Sequence, residues 1–267
     1  MRIFAIYKYC AYGDFLSKTP YMKRKGRPMR ITTKDTKLTG ICMLSIIAVG
    51  VLSISPEVDS TDFLTSAAQN AAKVTLSGVS QFVVALLYLA VAAMLFPTIS
   101  MNGNKRAIGY LCLTAIGVAL IAVGGVIISG ILVFSQELAR TPVQDPAMAE
   151  VVGQVLKISR DFTNHGYMVL ALSPGKILLC SVFYTSGFIP RTLAVAGIVA
   201  AIISMTASLL VLFQVIDVVT TEYIALNTPT ALHEIILGLL FIFKARPLAQ
   251  GGPAMLIPGY PWQHKSL

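Results

Sequence analysis

Long apolar runs constrain this chain more than any other feature of its sequence. Charge-free runs of 17 residues or more recur along it, and only 12% of its residues are charged, about half the fraction of an ordinary soluble domain. Such runs are long enough to cross a bilayer, where backbone polar groups must be satisfied internally by helices or closed barrels. Because the runs lack period-2 alternation, they predict helices.

Six spans follow from these runs, and the spans predict an all-α polytopic membrane helix bundle. Most spans hold about enough residues to cross a hydrocarbon core of about 30 Å at 1.5 Å per residue, and the first and last are short for it. The predicted spans are 38–55, 74–97, 107–134, 166–184, 192–215 and 229–243.

The charges between the spans predict an orientation. Ten of the 21 Lys and Arg residues precede the first span, and basic residues also follow spans 2, 4 and 6. The segments after spans 1 and 5 are acidic, and the long segment after span 3 is mixed. By the positive-inside rule both termini lie in the cytoplasm. We therefore expect a multi-pass protein of the inner, or cytoplasmic, membrane.

Two tails flank the predicted six-span domain of residues 38–246. Residues 1–37 predict a basic, disordered cytoplasmic tail, and 247–267 are rich in Gly and Pro and predict an irregular cytoplasmic tail. Translation could start at Met1, Met22 or Met29. In a membrane protein a basic cluster indicates topology and contact with anionic lipid, and we expect no nucleic-acid partner. The cluster comprises Lys23, Arg24, Lys25, Arg27 and Arg30.

The long loop after span 3 predicts one further helix. Asp145 and Pro146 are typical of a helix start, since Asp caps and Pro is tolerated at the first helical position. Apolar residues then recur at helical spacing with polar residues between them, which indicates an amphipathic helix. Two arrangements fit: the helix lies on the outer surface, or it runs on into span 4.

Ionisable residues inside spans are the candidates for function, because charge in the bilayer core is expensive. Lys176 lies in predicted span 4, and Glu234 and its neighbour His233 lie in predicted span 6. Counted by helical rise, Lys176 begins about 15 Å below the outer boundary and Glu234 about 8 Å below it. Since helical side chains lean toward the N-terminus, the ammonium can rise toward the carboxylate.

Pairing is the favoured prediction for these two charges. Insertion of a lysine at a span centre costs about 2.5–3.5 kcal/mol, which pairing with a carboxylate would offset. Loss of the ammonium proton is the other way to avoid that cost. Pro174 and Gly175, just before the lysine, predict a helix kink that frees backbone carbonyls near it. A structural tie between spans 4 and 6 and a site for a small molecule or ion both remain open.

Other kinds of site lack a pattern in the sequence. His233-Glu234 lacks the second histidine of a zinc-protease motif, and the four cysteines follow no metal or redox spacing, which favours buried free thiols. No glycine-rich phosphate loop and no nucleophile elbow is present. We therefore predict no catalytic residues, no metal and no cofactor, and an intramembrane enzyme is the least favoured class.

Three segments resemble one bacterial family of multi-pass membrane proteins, a domain of unknown function numbered 4386. They are ALLYLAVAAMLFPTISMNGNKRAIGYL, SPGKILLCSVFYTSGFIPRTLAVAGIVAA and PTALHEIILGLLFIFK, at 85–111, 173–201 and 229–244. With the intervening spans the resemblance covers roughly residues 30–246. It implies a bundle of about this helix number, no established reaction, and an acidic position at Glu234.

This chain also departs from that family pattern. The resemblance implies an Arg and a Glu in the span after the Phe-Pro turn, where this chain has Thr114 and Gly117. It implies a small or apolar residue at the position of Lys176. We therefore expect that the cation facing Glu234 has moved from span 3 to span 4. A transporter would predict a two-fold internal repeat, and spans 1–3 do not visibly repeat in spans 4–6.

Overall fold

The computed structural model describes residues 33–141 and 145–243, and over those ranges the protein is helical and has no strand. The predicted all-α bundle is therefore confirmed. The helices are α1 (Thr33–Leu52), α2 (Pro56–Asp59), α3 (Phe63–Gln69), α4 (Ala71–Arg140), α5 (Pro146–Asp161), α6 (Met168–Ser186), α7 (Arg191–Leu212) and α8 (Thr221–Phe243). A π-helical segment, Phe162–Tyr167, joins α5 to α6.

Helix α4 accounts for two crossings. Its backbone leaves helical geometry at Gly103, where two helices meet at a kink. The two arms then run side by side, because a Cβ built on Gly125 would lie 3.3 Å from the carbonyl oxygen of Gly78. Five described helical stretches are long and apolar enough to cross a membrane. With α4 folded back on itself, they make six crossings.

The crossings form a closed ring. Helix α1 packs against α4, α4 against α6, α6 against α7, α7 against α8, and α8 against α1. Large apolar side chains on the outside of this ring are exposed, among them Phe82, Val126 and Ile236. So many exposed apolar side chains are expected where the surrounding solvent is the hydrocarbon of a bilayer. The chain is a membrane protein whose interior is enclosed by six helical segments.

The two ends of the bundle differ. The end that holds α2, α3 and α5, which we call the α5 end, contains a separate apolar cluster formed by Phe63, Val74, Ile128 and neighbours. Lys157 on α5 donates to the carbonyl oxygen of Asp59 at 3.1 Å, and Arg160 pairs with the carboxylates of Asp59 and Asp161. The opposite end, with the turn of α4, is called the Gly103 end.

The predicted amphipathic helix is α5. Asp145 caps it as expected, since its carboxylate accepts a hydrogen bond of 3.1 Å from the Met148 backbone N–H, and Pro146 is its first residue. Of the two arrangements that fitted the sequence, the structure has the second. Helix α5 continues through the π-helical segment into α6, so one helical path runs from Pro146 to Ser186.

Two span boundaries predicted at prolines are wrong. Pro97 lies inside the first arm of α4, and Pro229 lies inside α8, which begins at Thr221. Proline is tolerated in membrane helices where nearby polar side chains bond the surrounding backbone. Just before Pro229, the Asn227 amide donates to the Tyr223 carbonyl oxygen at 3.0 Å and the Thr228 hydroxyl to that of Ile224 at 2.7 Å.

The turn between α6 and α7 explains one segment of the family resemblance. Gly187 caps α6 with a φ of 67°, a left-handed conformation that favours glycine, and its N–H donates to the Phe183 carbonyl oxygen. Pro190 precedes α7, and the guanidinium of Arg191 lies 5.7 Å from the centre of the Tyr184 ring. The Tyr-x-Ser-Gly-x-x-Pro-Arg order thus encodes a helix stop, a turn and a helix start.

Several sequence predictions fall outside the described residues. The basic cluster Lys23, Arg24, Lys25, Arg27 and Arg30 does so, as do residues 247–267. The extents 1–37, 38–246 and 247–267 stay predictions. Of the cysteines described, Cys180 is buried, Cys42 is half-buried and Cys112 is exposed on the outside of the bundle. The expectation of buried thiols is therefore wrong for Cys112.

Candidate functional site

A lysine–glutamate pair lies inside the ring of helices. The Lys176 ammonium on α6 donates a hydrogen bond of 3.1 Å to Oε1 of Glu234 on α8. It also lies 3.3 Å from the carbonyl oxygen of Thr230, one turn nearer the α5 end. The two charged side chains are 12% and 21% exposed. The structure thus brings together the two charges that the sequence singled out as neighbours in depth.

Glu234 lies deeper than the sequence indicated. Because α8 begins at Thr221 and not at Pro229, helical rise places Glu234 about 20 Å from the start of its helix, where about 8 Å was expected. The lysine still reaches toward the α5 end, as the lean of helical side chains requires. Because α8 starts earlier, the Glu234 carboxylate lies at the level of the Lys176 ammonium, and the lysine side chain need not extend far toward the α5 end.

A cavity of about 150 Å³ lies beside the pair. All six crossings contribute to its wall, which is mostly apolar, and a cavity of this size holds about one benzene-sized molecule. Several polar groups also line the wall. Besides Lys176 and Glu234 they include Tyr88, Tyr110, Thr114, Cys180, Ser204 and His233.

Two tyrosines of this cavity were missed by sequence reasoning. Tyr88, on the first arm of α4, lies close enough to Glu234 to interact with its carboxylate, and Tyr110 lines the same cavity from the second arm. A phenol can donate to a carboxylate and accept from a ligand. The available signal was a tyrosine within an apolar run, but an all-round apolar helix does not reveal which face is internal.

His233 is buried against α7. Its Nε2 lies 3.2 Å from the carbonyl oxygen of Leu193, and an oxygen acceptor there requires the proton on Nε2. Nδ1 is then an acceptor, and it has no hydrogen-bond partner among the described residues. Gly197 makes room for the ring, since a Cβ there would lie 2.4 Å from Nε2. His233 therefore lines the cavity with its ring held by the backbone of α7.

Pro174 and Gly175 lie inside α6, and the kink predicted there stays a prediction. The helix is continuous through both residues, and Gly175 is buried against Tyr110 and Leu113 of α4, where a Cβ would meet the Leu113 side chain at 3.4 Å. The carbonyl beside the lysine comes from Thr230 on α8, not from its own helix. Thr230 is held in turn by α7, because its hydroxyl donates to the Ala200 carbonyl oxygen at 3.0 Å and lies 2.7 Å from the Ser204 hydroxyl.

The two positions where the resemblance implies an Arg and a Glu lie on the second arm of α4. Thr114 is buried and lines the cavity, whereas Gly117 lies against Leu172 of α6, whose side chain a Cβ would meet at 2.4 Å. A cation at position 114 would therefore share a cavity with Glu234. This placement is what the idea of a relocated cation requires.

The chemistry open to the site is binding through hydrogen bonds and charge. Within the part of the chain that the structure describes, no group of three His, Cys, Asp or Glu side chains could hold a metal ion. The ammonium and carboxylate neutralise each other, so the site has no large net charge. It offers donors and acceptors around an apolar space.

A helical ring of six crossings around a mostly apolar cavity with an ion pair in its wall defines an integral membrane helix-bundle protein. The chain belongs to the family described as a domain of unknown function, DUF4386, whose model matches residues 38–245. The family suggested by the sequence is thereby confirmed. Neither the comparison with curated proteins nor that with solved structures gave a match.

Proposed function

We propose that this protein binds a small molecule inside the membrane, in the cavity beside Lys176 and Glu234. The observation that supports this proposal best is the combination of an internal space of about 150 Å³ with a partly exposed ion pair in its wall. A purely structural pair would be expected to be closely packed on all sides, because protein interiors leave few voids larger than a water molecule.

The ligand that fits this site is compact. An apolar wall favours an apolar body, and the tyrosine hydroxyls and the ion pair favour one or two hydrogen-bonding groups. An ion is a weaker candidate, because Lys176 already neutralises the Glu234 carboxylate.

A structural or accessory membrane role is the second candidate. Helices α6 and α8 are separated in the ring by α7, which packs against both, so the Lys176–Glu234 pair is a direct bond between two helices that are not neighbours in the ring. On this view the pair fixes the spacing of the ring. Catalysis in the membrane remains the least favoured class.

Ligand screening by thermal shift tests the proposal. The purified protein is screened with small uncharged aromatic and heterocyclic compounds, and hits are repeated on Glu234→Gln and on Glu150→Gln. The second variant makes the same chemical change at an exposed position of α5. We expect hits whose shift is lost in Glu234→Gln and kept in Glu150→Gln. Shifts that are equal in all three proteins would remove Glu234 from the site.

We propose further that the protein lies in the inner membrane with both termini in the cytoplasm, so that the α5 end faces outward. The alternation of basic and acidic connections supports this orientation. The basic cluster at 23–30 would then contact anionic lipid on the cytoplasmic leaflet. We expect Glu150→Cys to react with a membrane-impermeant thiol reagent that is added outside intact cells. Reaction only in inverted vesicles would contradict the orientation.

A further inference from the structure

A second cavity adjoins the first on the side of the α5 end. It has a volume of about 260 Å³ and is more open than the first. Both cavities are lined by Ile46, Tyr88, Met168 and Glu234, so the two spaces lie on either side of the same four residues. The carboxylate of the candidate site is thus reached from both.

The wall of the second cavity carries polar side chains toward the α5 end. Gln81 on α4 and Asn164 on the π-helical segment line it, and the Asn164 amide donates to Oε1 of Gln81 at 3.3 Å. The Asn164 Oδ1 is buried and has no hydrogen-bond partner among the described residues. Ser53 of the same wall adds a hydroxyl. π-helical turns are rare and occur frequently at functional sites.

The opposite side of the site is closed by packing. Toward the Gly103 end the rings of Phe183, Phe188 and Phe241 contact one another, with centroid separations of 5.3 to 6.1 Å. Phe183 and Phe241 are almost completely buried, and Leu95 and Ile99 of α4 belong to the same core. Among the described residues, the ion pair therefore has a partly polar cavity on one side and packed aromatic side chains on the other.

We propose that the second cavity is the entry vestibule of the site, and that an uncharged, hydrogen-bonding small molecule reaches Lys176 and Glu234 only from the α5 end. The proposal rests on the proposed function for its ligand. The uncharged class follows from the vestibule itself, because Glu234 is the only Asp, Glu, Lys or Arg among its described lining residues and is already paired with Lys176. Its other polar groups include the amide pair, the Ser53 hydroxyl and the His165 ring, whose Nδ1 lies 3.0 Å from the Tyr223 hydroxyl. Amide groups supply both donors and acceptors to such a molecule.

Thiol reactivity tests the route, and the chain supplies its own inner reporter. Cys180 lines the first cavity, so Cys10, Cys42 and Cys112 are replaced by Ser and Cys180 is kept. Gly50→Cys adds a reporter in the vestibule, where a Cβ would meet nothing within 4 Å. Ser53→Cys is a second vestibule reporter of nearly native size. Val83→Cys is the control, because Val83 is exposed on the lipid face of the same arm of α4 that carries Gln81.

The first measurement is sidedness. Membrane-impermeant MTSET is added to proteoliposomes from each side, and exposed Glu150→Cys marks the side of the α5 end. We expect Gly50→Cys and Ser53→Cys to react from that side alone and faster than Val83→Cys. Both lie at the end of α1, at the mouth of the vestibule, where the cationic reagent can meet a hydrated thiol, whereas a thiol in lipid does not ionise. Equal rates for vestibule and control cysteines, or reaction from the Gly103 side, would overturn the route.

The second measurement is protection of Cys180. Small, neutral methyl methanethiosulfonate is added before and after MTSET has modified Gly50→Cys. We expect Cys180 to react about tenfold more slowly after the vestibule is blocked, an added barrier of about 1.4 kcal/mol, and to react at the same rate after treatment of Val83→Cys. An unchanged rate after blocking contradicts the route. If blocking the vestibule protects Cys180 but no compound gives a thermal shift, the route is supported and the proposed ligand is contradicted. If compounds give thermal shifts but blocking does not protect Cys180, the ligand is supported and the route is contradicted.

Discussion

At the scale of single residues, the protein places opposite charges where neither could remain alone. Insertion of one lysine at a span centre costs about 2.5–3.5 kcal/mol, and the bond from Lys176 to Glu234 offsets that cost without exposing either group to bulk water. The Thr230 carbonyl accepts a further hydrogen bond from the ammonium. The pair is therefore a local electrostatic unit, and its two members should not be replaceable independently.

Charge exchange tests this unit. Lys176→Met or Glu234→Gln alone leaves one charge unpaired, and we expect a loss of about 3 kcal/mol in the free energy of unfolding, the lower end for a buried pair because both side chains keep some exposure. Combining the two substitutions should recover about 1–3 kcal/mol. The exchanged pair, Lys176→Glu with Glu234→Lys, should be more stable than either reversal alone. If it is no more stable, direct pairing is wrong.

A cation at position 114 tests the relocation of charge. Thr114 lines the same cavity as Glu234, so Thr114→Arg should restore part of the thermal stability that Lys176→Met removes. Thr114→Met in the same background adds bulk without charge and should restore none. Equal melting temperatures for the two double variants would contradict the idea that the cation can come from either helix.

At the scale of helices, small residues determine how closely the ring closes. Helices α1 and α8 meet at Gly40 and Gly238, where a Cβ on Gly40 would lie 2.6 Å from the Gly238 carbonyl oxygen. Small residues allow such close backbone approach in membranes, where dispersion contacts and not the hydrophobic effect hold helices together. This contact closes the ring on the side of the wall that holds Glu234.

A methyl group at that contact should separate the two helices. We expect Gly40→Ala to lower the free energy of unfolding by about 1–3 kcal/mol, the usual cost of overpacking. Gly50→Ala, on the same helix, is the matched control, because a Cβ there meets nothing within 4 Å. Denaturant titration of both variants in one detergent measures the difference. Equal destabilisation by the two alanines would show that the close approach at Gly40 contributes nothing.

The sequence indicated where the helices and the intramembrane charges lie, but not which face of each helix points into the bundle. Long apolar runs predicted six crossings, and the Asp145-Pro146 start of α5 was correct because capping is local chemistry. Pro97 and Pro229 misplaced two boundaries, since a proline inside a membrane helix resembles one at its end in sequence. The inward position of Tyr88 and Tyr110 depends on the rotation of α4, which an apolar run does not encode.

At the scale of the whole molecule, six helical crossings surround a cavity that close packing of side chains would be expected to fill. The central claim is that this space is a ligand site, and a pair of identical substitutions tests it. Val91→Phe places a ring in the cavity and leaves Lys176, Glu234 and Tyr88 in place, whereas Val83→Phe places the same ring on the exposed face of the same helix arm.

The decisive measurement is the ligand-induced thermal shift of these two variants beside the native protein, over the same set of small uncharged compounds. The account predicts that compounds which stabilise the native protein stabilise Val83→Phe equally and lose their effect on Val91→Phe. A native protein that no compound stabilises, or a Val91→Phe protein that is stabilised as strongly as the native one, would contradict it.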